Sequence, residues 1–506
     1  MNSYLLFFIA MMPIVCLMVA LGVFKVPAQK VCPIVLVLTF VLAMIFWKMS
    51  FIDAVTATLE GVALGLWPIM LVIISAVFIY NVSIKTGSMD TIKNMITGIT
   101  NDKRILVLIL AWGFGGFLEA IAGFGTAVAI PASIMAALGF DPVFASIICL
   151  IANTTPTAFG AIGIPITTLA KITGLDVNIL SYAVGLQLAG LIVVVPILLV
   201  MLSERSVKAI KGVFGISIMS GLAFAVPEVL LAKYMGAELP AIVGSICSMA
   251  VTILIAKTFY KDTAIKENKI PMKDILLSWL SFILVFVFIL FSSSLFPTIN
   301  KLLSSISTSL NIYTGQGAEP YTFLWIATPG TLIIIATFIG GMIQGATFKE
   351  ILQILIDTCK QMKNSFITIL SIVALAKVMG YSGMIKSIAV VLVLITGDFY
   401  PLFAPLIGAL GTFVTGSDTS ANVLFGGLQV EVANSLNLNS YWLAAANTGG
   451  ATAGKMISPQ SIAVATAATG LEGTEGDILK ATLKFCVFYV VILGLISYLG
   501  GSLFNI

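Results

Sequence analysis

The sequence predicts an all-α polytopic membrane protein of roughly twelve transmembrane spans, built as two inverted repeats that contain re-entrant hairpins or broken helices. Three observations predict this. Of the 506 residues, 59% are hydrophobic and only 9% are charged, and the mean hydropathy of +1.12 is far from that of a soluble domain. Apolar runs of about 20 residues, long enough to cross a hydrocarbon core, recur from Tyr4–Phe24 to Phe485–Phe504 with short polar turns between them. Finally, two stretches far apart in the chain carry the same punctuation of Asn, Thr, Gly and Pro.

The first run, SYLLFFIAMMPIVCLMVALGVF, leads straight into a second span and shows no small-residue cleavage site, so it reads as a retained helix and not a signal peptide. These two spans fill residues 1–50. The first transport repeat occupies 51–202, connecting helices and loops occupy 203–347, and the second repeat with a C-terminal helix occupies 348–506. The repeat rests on three anchors. NTTPTAFGAIGIP from Asn153 matches NTGGATAGKMISP from Asn447 at an offset of 294. GGFLEAIAG matches GTFVTGSDT, placing Phe117 on Phe413, and KTGSM matches YSGMI, placing Gly87 on Gly383, both at an offset of 296.

Loop charge orients the halves. The basic loops Ser203–Gly212 and Lys257–Lys273 are separated by two spans and both suit the cytoplasmic side, which leaves the charge-poor loop Thr298–Tyr321 outside. Counting onward puts Thr347–Asn364 inside and its counterpart Ser50–Gly61 outside. Equivalent elements then face opposite sides, the signature of inverted topology.

Composition also excludes functions. Histidine is absent, which removes the usual proton carrier near neutral pH and the commonest metal ligand. The six cysteines sit in or beside apolar runs without metal-ligand spacing and read as small apolar side chains, so no metal or other cofactor is expected. GFGGF and AGFGTA follow no strand, so they are not a dinucleotide fingerprint. The net charge of +4 comes mainly from loops and implies no nucleic-acid partner.

Polar residues inside apolar sequence are the candidate site. Glu119, in WGFGGFLEAIAGFGTAV, is a protonatable carboxyl at a depth where charge is costly. Asp418 lies in GTFVTGSDTSANVLFGG, where Thr415 and Ser417 surround it with oxygens and a helix break is expected; it can also serve as the N-cap of the helix that follows. Lys455 is a cation among glycines and threonines, placed to hold a substrate carboxylate, to neutralise Glu119 or Asp418, or to snorkel to an interface. Asn153-Thr154 and Asn447-Thr448 fall at equivalent repeat positions, each expected just before a Gly-rich break whose helix ends suit an anion or a cation. Ser458 is a further hydroxyl for the substrate. Lys377 and Lys386 are assigned to helix ends, and Lys171 and Asp176 to a loop.

Through LEAIAGFG (Leu118–Gly125), NTTPTAFGAIGIPI (Asn153–Ile166), GTFVTGSDTSAN (Gly411–Asn422) and ANTGGATAGKMISPQSIA (Ala446–Ala463), the chain resembles the bacterial L-lactate permease family along nearly its whole length. The resemblance implies a multi-pass protein of the bacterial cytoplasmic membrane that takes up lactate and glycolate together with protons. It also implies a link to the broader ion-transporter superfamily of inverted repeats. Glu119 and Asp418 are then the proton-coupling candidates. Asn153, Thr154, Thr415, Ser417, Asn447, Thr448, Lys455 and Ser458 are the substrate-binding candidates. Three other readings stay open. A sodium-coupled carboxylate transporter would use the same oxygens as hard ligands, an anion channel is compatible with Lys455, and a membrane enzyme fits least because no nucleophile–base pair is visible. The sequence leaves the oligomeric state open.

Overall fold

A computed structural model of the chain describes residues 3–20, 24, 26–97, 99–121, 123, 125–260, 271–292, 296–318, 320–469, 471 and 474–501. Most of the expected basic loop Lys257–Lys273, namely 261–270, lies outside these residues. Among the described residues, strand is confined to a two-stranded antiparallel hairpin, Ser307–Leu310 against Tyr321–Leu324. Among the described residues, ten helices are long and apolar enough to cross a bilayer, or eleven if the bent pair Pro142–Ala152 and Thr155–Thr173 is one span. Ser3–Leu17, Ala127–Ala137 and Pro329–Ile343 are shorter apolar helices.

Each half contributes the same succession of elements. The first begins with the helix Phe51–Leu64, kinks at Gly65–Met70, and continues as Leu71–Lys85. The second begins with Phe348–Gln361, held by a capping box of Thr347 and Glu350, and continues as Lys363–Ser382. The leading helices are exchanged. Phe51–Leu64 packs on Lys363–Ser382 of the other half, where Gly61 lets the backbone of Ala374 approach, and Phe348–Gln361 packs on Leu71–Lys85.

Hydrogen bonds fix the two faces. In the kink before Leu71–Lys85, the Trp67 indole donates to the Leu324 carbonyl at 3.0 Å, and on Phe51–Leu64 Thr56 meets Thr314 at 3.3 Å. At the other end, Asn81 donates to Thr358 at 2.9 Å and Thr86 to Gln344 at 3.3 Å. The leading helix of the second half is thus bonded near the C-terminal end of Leu71–Lys85, whereas that of the first half leads into its N-terminal end through the kink. Arg104 donates to the carbonyl oxygens of Ala209 and Lys211, at 3.0 and 3.2 Å, which ties the base of the next element to the basic loop.

That next element is a hairpin in both halves. In the first, Lys103–Ile121 returns as Thr126–Ala137 after a turn in which Gly123 and Gly125 have φ of 58° and 87°, values only glycine takes readily. In the second, Tyr400–Thr415 returns as Asp418–Leu436 after Gly416, whose φ is 72°. A broken span follows each hairpin. Pro142–Ala152 gives way to a 3-10 turn, Thr155–Phe159, and then to Gly160–Thr173, with left-handed backbone at Ala161, Ile162 and Gly163. Ser440–Lys455 is followed, after Met456–Ser458, by Pro459–Thr469.

This corrects the expectation of a break directly after Asn447-Thr448. The glycines there continue the helix to Lys455, and they serve close packing. Gly450 and Gly454, one turn apart, lie against the backbone of Pro405 and Ala409 in the second hairpin. Small residues at this spacing let helix backbones approach, which replaces the hydrophobic drive that is missing between helices in lipid. Lys377 is also placed differently from expectation. It lies within Lys363–Ser382, not at its end, and pairs with buried Glu60 at 2.9 Å.

Candidate functional site

Both hairpin turns and both breaks meet around one cavity of about 350 Å³. Its lining includes Glu119, Thr415, Ser417, Asp418 and Lys455. It also reaches Gln29 and exposed Asn364, at the starts of Ala28–Phe46 and Lys363–Ser382.

Four helix beginnings border this space: Gly125 before Thr126–Ala137, Ile164 and Pro165 after the left-handed turn, Ser417 to Ser420, and Gln460 with Ser461. The first N–H groups of a helix have no intrahelical acceptor and carry partial positive charge, so four of them favour an anionic guest. Ser417 is the N-cap of its helix and accepts from Ser420 N at 3.2 Å. The N-cap expected at Asp418 therefore falls one residue earlier.

Lys455, at the end of Ser440–Lys455, is the cation of the cavity. Its Nζ meets Glu119 Oε1 at 2.5 Å, with side-chain exposures of 12% and 3%. The glycine at 160 makes room for this carboxyl, because a Cβ there would collide with Glu119. Glu119 Oε2 and both oxygens of Asp418 are buried without hydrogen-bond partners, and Asp418 lies in the electrostatic field of Lys455 and Glu119. Two carboxyls thus share one ammonium. Ionising both would leave an uncompensated charge in a place where charge is expensive.

Of the other expected site residues, Thr415 and Ser417 line the cavity, and the rest lie behind this wall. Asn447 and Thr448 are fully buried and occupied by protein: Asn447 donates to Asn422 Oδ1 at 3.0 Å and accepts from Gln429 at 3.2 Å, while Asn422 donates to Thr448. Asn153 and Thr154 sit where Pro142–Ala152 ends; Thr154 donates to the Leu150 carbonyl at 3.3 Å, and Asn153 Oδ1 is unpartnered. Ser458 donates to Ser461 Oγ at 3.0 Å and accepts from Ser461 N at 3.1 Å. Thr415 donates to the Gly411 carbonyl at 2.8 Å. Lys171, expected in a loop, instead lies exposed in the last turn of Gly160–Thr173 and is not among the residues that line the cavity. Sequence reasoning missed Thr157, Gln460, Ser461 and Thr368, which do line it. Gln460 and Ser461 follow directly after the Ser-Pro of ANTGGATAGKMISPQSIA and were legible there; Thr368, beside no helix break and no repeat anchor, carried no signal.

The family profile described as L-lactate permease matches residues 6–504. An L-lactate permease of Streptococcus iniae is 56% identical over 439 residues, covering 86% of this chain and 93% of its own. The glycolate permease GlcA of Escherichia coli K12 is 34% identical over 98% of this chain and 96% of its own. The L-lactate permease of Bacillus subtilis is 33% identical over the same shares. Among solved structures, Neisseria gonorrhoeae MtrF, which illuminates a class of antimetabolite efflux pumps, shares the fold at a TM-score of 0.52 and 13% identity, over 96% of this chain and 97% of its own. The chain therefore belongs to the L-lactate permease family, a family of multi-pass bacterial membrane transporters and not of enzymes.

Proposed function

We propose that this protein takes up short 2-hydroxy monocarboxylates, L-lactate, D-lactate and glycolate, by proton symport with alternating access. The observation that carries the reading is the Lys455–Glu119 pair in the cavity wall. A substrate carboxylate competes with Glu119 for the same ammonium. When it wins, Glu119 loses its counter-ion in a site of low polarisability and takes up a proton instead. The loaded site then carries substrate and proton together with no gain in net charge, which lowers the cost of enclosing it. The four helix beginnings add to the attraction for the carboxylate, and Thr415 and Ser417 offer oxygens to the substrate hydroxyl. Asn153, Thr154, Asn447, Thr448 and Ser458 support the wall from behind. A cavity of about 350 Å³ is at the small end of the range for small-molecule sites, about 300–1,000 Å³, and suits an acid of two or three carbons. The hairpins and broken spans would move against the exchanged leading helices to change the open face.

The test is uptake of labelled L-lactate into proteoliposomes under an imposed inward proton gradient or an imposed sodium gradient, with the membrane potential clamped. Accumulation driven by protons alone is expected. Accumulation only with sodium would instead make Asp418, Thr415 and Ser417 cation ligands, and failure to concentrate substrate under either gradient would favour a channel.

A further inference from the structure

The first broken span has a costly backbone where it borders the cavity. Ala161 and Ile162 hold φ of 45° and 59°, and Gly163 follows at 74°. Residues with a Cβ avoid this left-handed region, and a β-branched isoleucine avoids it most. Glycine would take the same backbone without strain. An alanine kept where glycine is easier points to a use for its methyl group. The turn also cannot retreat, because Ile162 is buried and the backbone of Ala237 packs against Gly163.

The methyl group of Ala161 stands beside the charged pair. A Cβ placed on Gly123 would lie 3.3 Å from Ala161 Cβ and 3.6 Å from Glu119 Oε1, and a Cβ on Gly160 would lie 2.7 Å from that same oxygen. Glu119 Oε1 is the oxygen that Lys455 Nζ meets at 2.5 Å. Gly123, Gly160, Ala161, Glu119 and Lys455 all line the cavity. Two glycines thus leave room next to the ion pair, and the Ala161 methyl group bounds that room. Thr415 and Ser417, which offer oxygens to a substrate hydroxyl, belong to the hairpin turn of the other half.

We propose that Ala161 is a specificity-determining residue of this site, whose methyl group limits the substituent on C2 of the substrate to hydrogen or methyl. A carboxylate that replaces Glu119 on Lys455 brings its own C2 next to Gly123, Gly160 and Ala161. With the hydroxyl turned to Thr415 and Ser417, the remaining carbon substituent enters the room that Ala161 closes. Hydrogen (glycolate) and methyl (lactate) fit there, and an ethyl group meets the Ala161 methyl. The cavity as a whole does not set this limit, since it extends to Gln29 and Asn364, space that an acid held at Lys455 does not need. The inference rests on the reading of the site as one for short 2-hydroxy monocarboxylates and says what makes them short; it does not depend on which ion drives uptake.

The test uses the full chain in proteoliposomes at equal pH on both sides. Labelled L-lactate exchanges for internal L-lactate there without any gradient, and unlabelled glycolate, L-lactate and L-2-hydroxybutyrate compete. One methylene in a fitted apolar contact discriminates by about 10- to 200-fold. In the unmodified protein, L-2-hydroxybutyrate should therefore compete at least about tenfold more weakly than L-lactate. Ala161→Gly, which the left-handed backbone accepts, should lower that ratio by about tenfold. Ala161→Asn, a larger side chain that also visits this region, should weaken L-lactate relative to glycolate. An unchanged ratio in Ala161→Gly overturns the assignment, and a uniform weakening of all three acids does the same, because it marks loosened structure and not selection. So does an unmodified protein that takes L-2-hydroxybutyrate as readily as L-lactate. If the unmodified protein exchanges no L-lactate at all, the substrate reading itself fails; exchange with unmoved ratios sinks the role of Ala161 alone.

Discussion

Lys455 of the second half reaches across the cavity to Glu119 of the first, and the two are separated by 336 residues of chain but by 2.5 Å in space. The pair joins the end of Ser440–Lys455 to the first arm of the hairpin of the other half, so the two halves share a charge-compensated point in the cavity wall.

Removing either partner should therefore do more than remove a contact. Lys455→Met leaves Glu119 and Asp418 without a cation, and breaking a buried pair in this way costs about 3–5 kcal/mol. The double change Lys455→Met with Glu119→Gln should recover most of that loss without recovering transport. Thermal unfolding in detergent measures the first effect and lactate uptake the second. Glu119→Gln alone should abolish proton-driven accumulation and leave exchange; full accumulation in that variant would remove Glu119 as the proton carrier.

Asn447 gives a contrasting case. Its amide links Asn422 and Gln429 within the wall, so Asn447→Ala should cost about 1–3 kcal/mol for the partners left unsatisfied, with little change in lactate affinity. Unchanged melting combined with a large loss of affinity would place Asn447 against the substrate instead.

Gly163 holds φ of 74° in the break, and a Cβ there would run into the backbone of Ala237. Gly163→Ala should therefore destabilise by about 2 kcal/mol or more, from left-handed strain together with overpacking. The yield of folded protein and its melting temperature report it.

The turn that carries Ala237 also carries Glu238, whose carboxyl burial pushes from 4.5 up to about 7, against the pull of its own and Ala237's backbone. The folded chain then holds this proton more tightly than the unfolded chain. The stabilisation is complete below about 4.5 and is lost as pH rises through about 7. Melting temperatures across about pH 5 to 8 should fall with this profile, and Glu238→Gln should remove that component of the slope.

The second buried pair, Glu60 with Lys377, also accepts a bond from Tyr381 at 2.6 Å, and the Tyr381 ring stacks on Tyr313 at 3.8 Å. Glu60→Gln should lower stability through unpaired Lys377 while leaving the pH dependence of uptake in the surviving protein unchanged. A shifted pH profile would bring this pair into the coupling machinery.

Much of this was legible in the sequence, and the reasons are specific. Charges are so costly in apolar spans that Glu119, Asp418 and Lys455 announced a shared site, and the repeated Asn, Gly and Pro positions aligned the halves. What failed was the reading of glycine as a breaker: Gly450 and Gly454 are docking points for Pro405 and Ala409, and sequence spacing alone does not separate the two uses. Glu60, Glu228 and Lys377 were passed over or misassigned because nothing in the sequence around them marks a helix break or a repeat anchor. Their significance comes from neighbours hundreds of residues away, or, for Glu228, from having none that bonds to it.

The exchange of leading helices has a consequence for biosynthesis. Glu60 enters the bilayer early, but Tyr381, which donates to it, is synthesised 321 residues later, an interval of roughly 15–60 s at bacterial elongation rates. For that time the first half holds an orphaned acid and an undocked helix, and it depends on the insertion machinery or on lipid headgroups for cover. A ribosome that stalls between the halves leaves a fragment that cannot close on itself. The leading helix of the first half therefore gains its packing partner only when Lys363–Ser382 has been made.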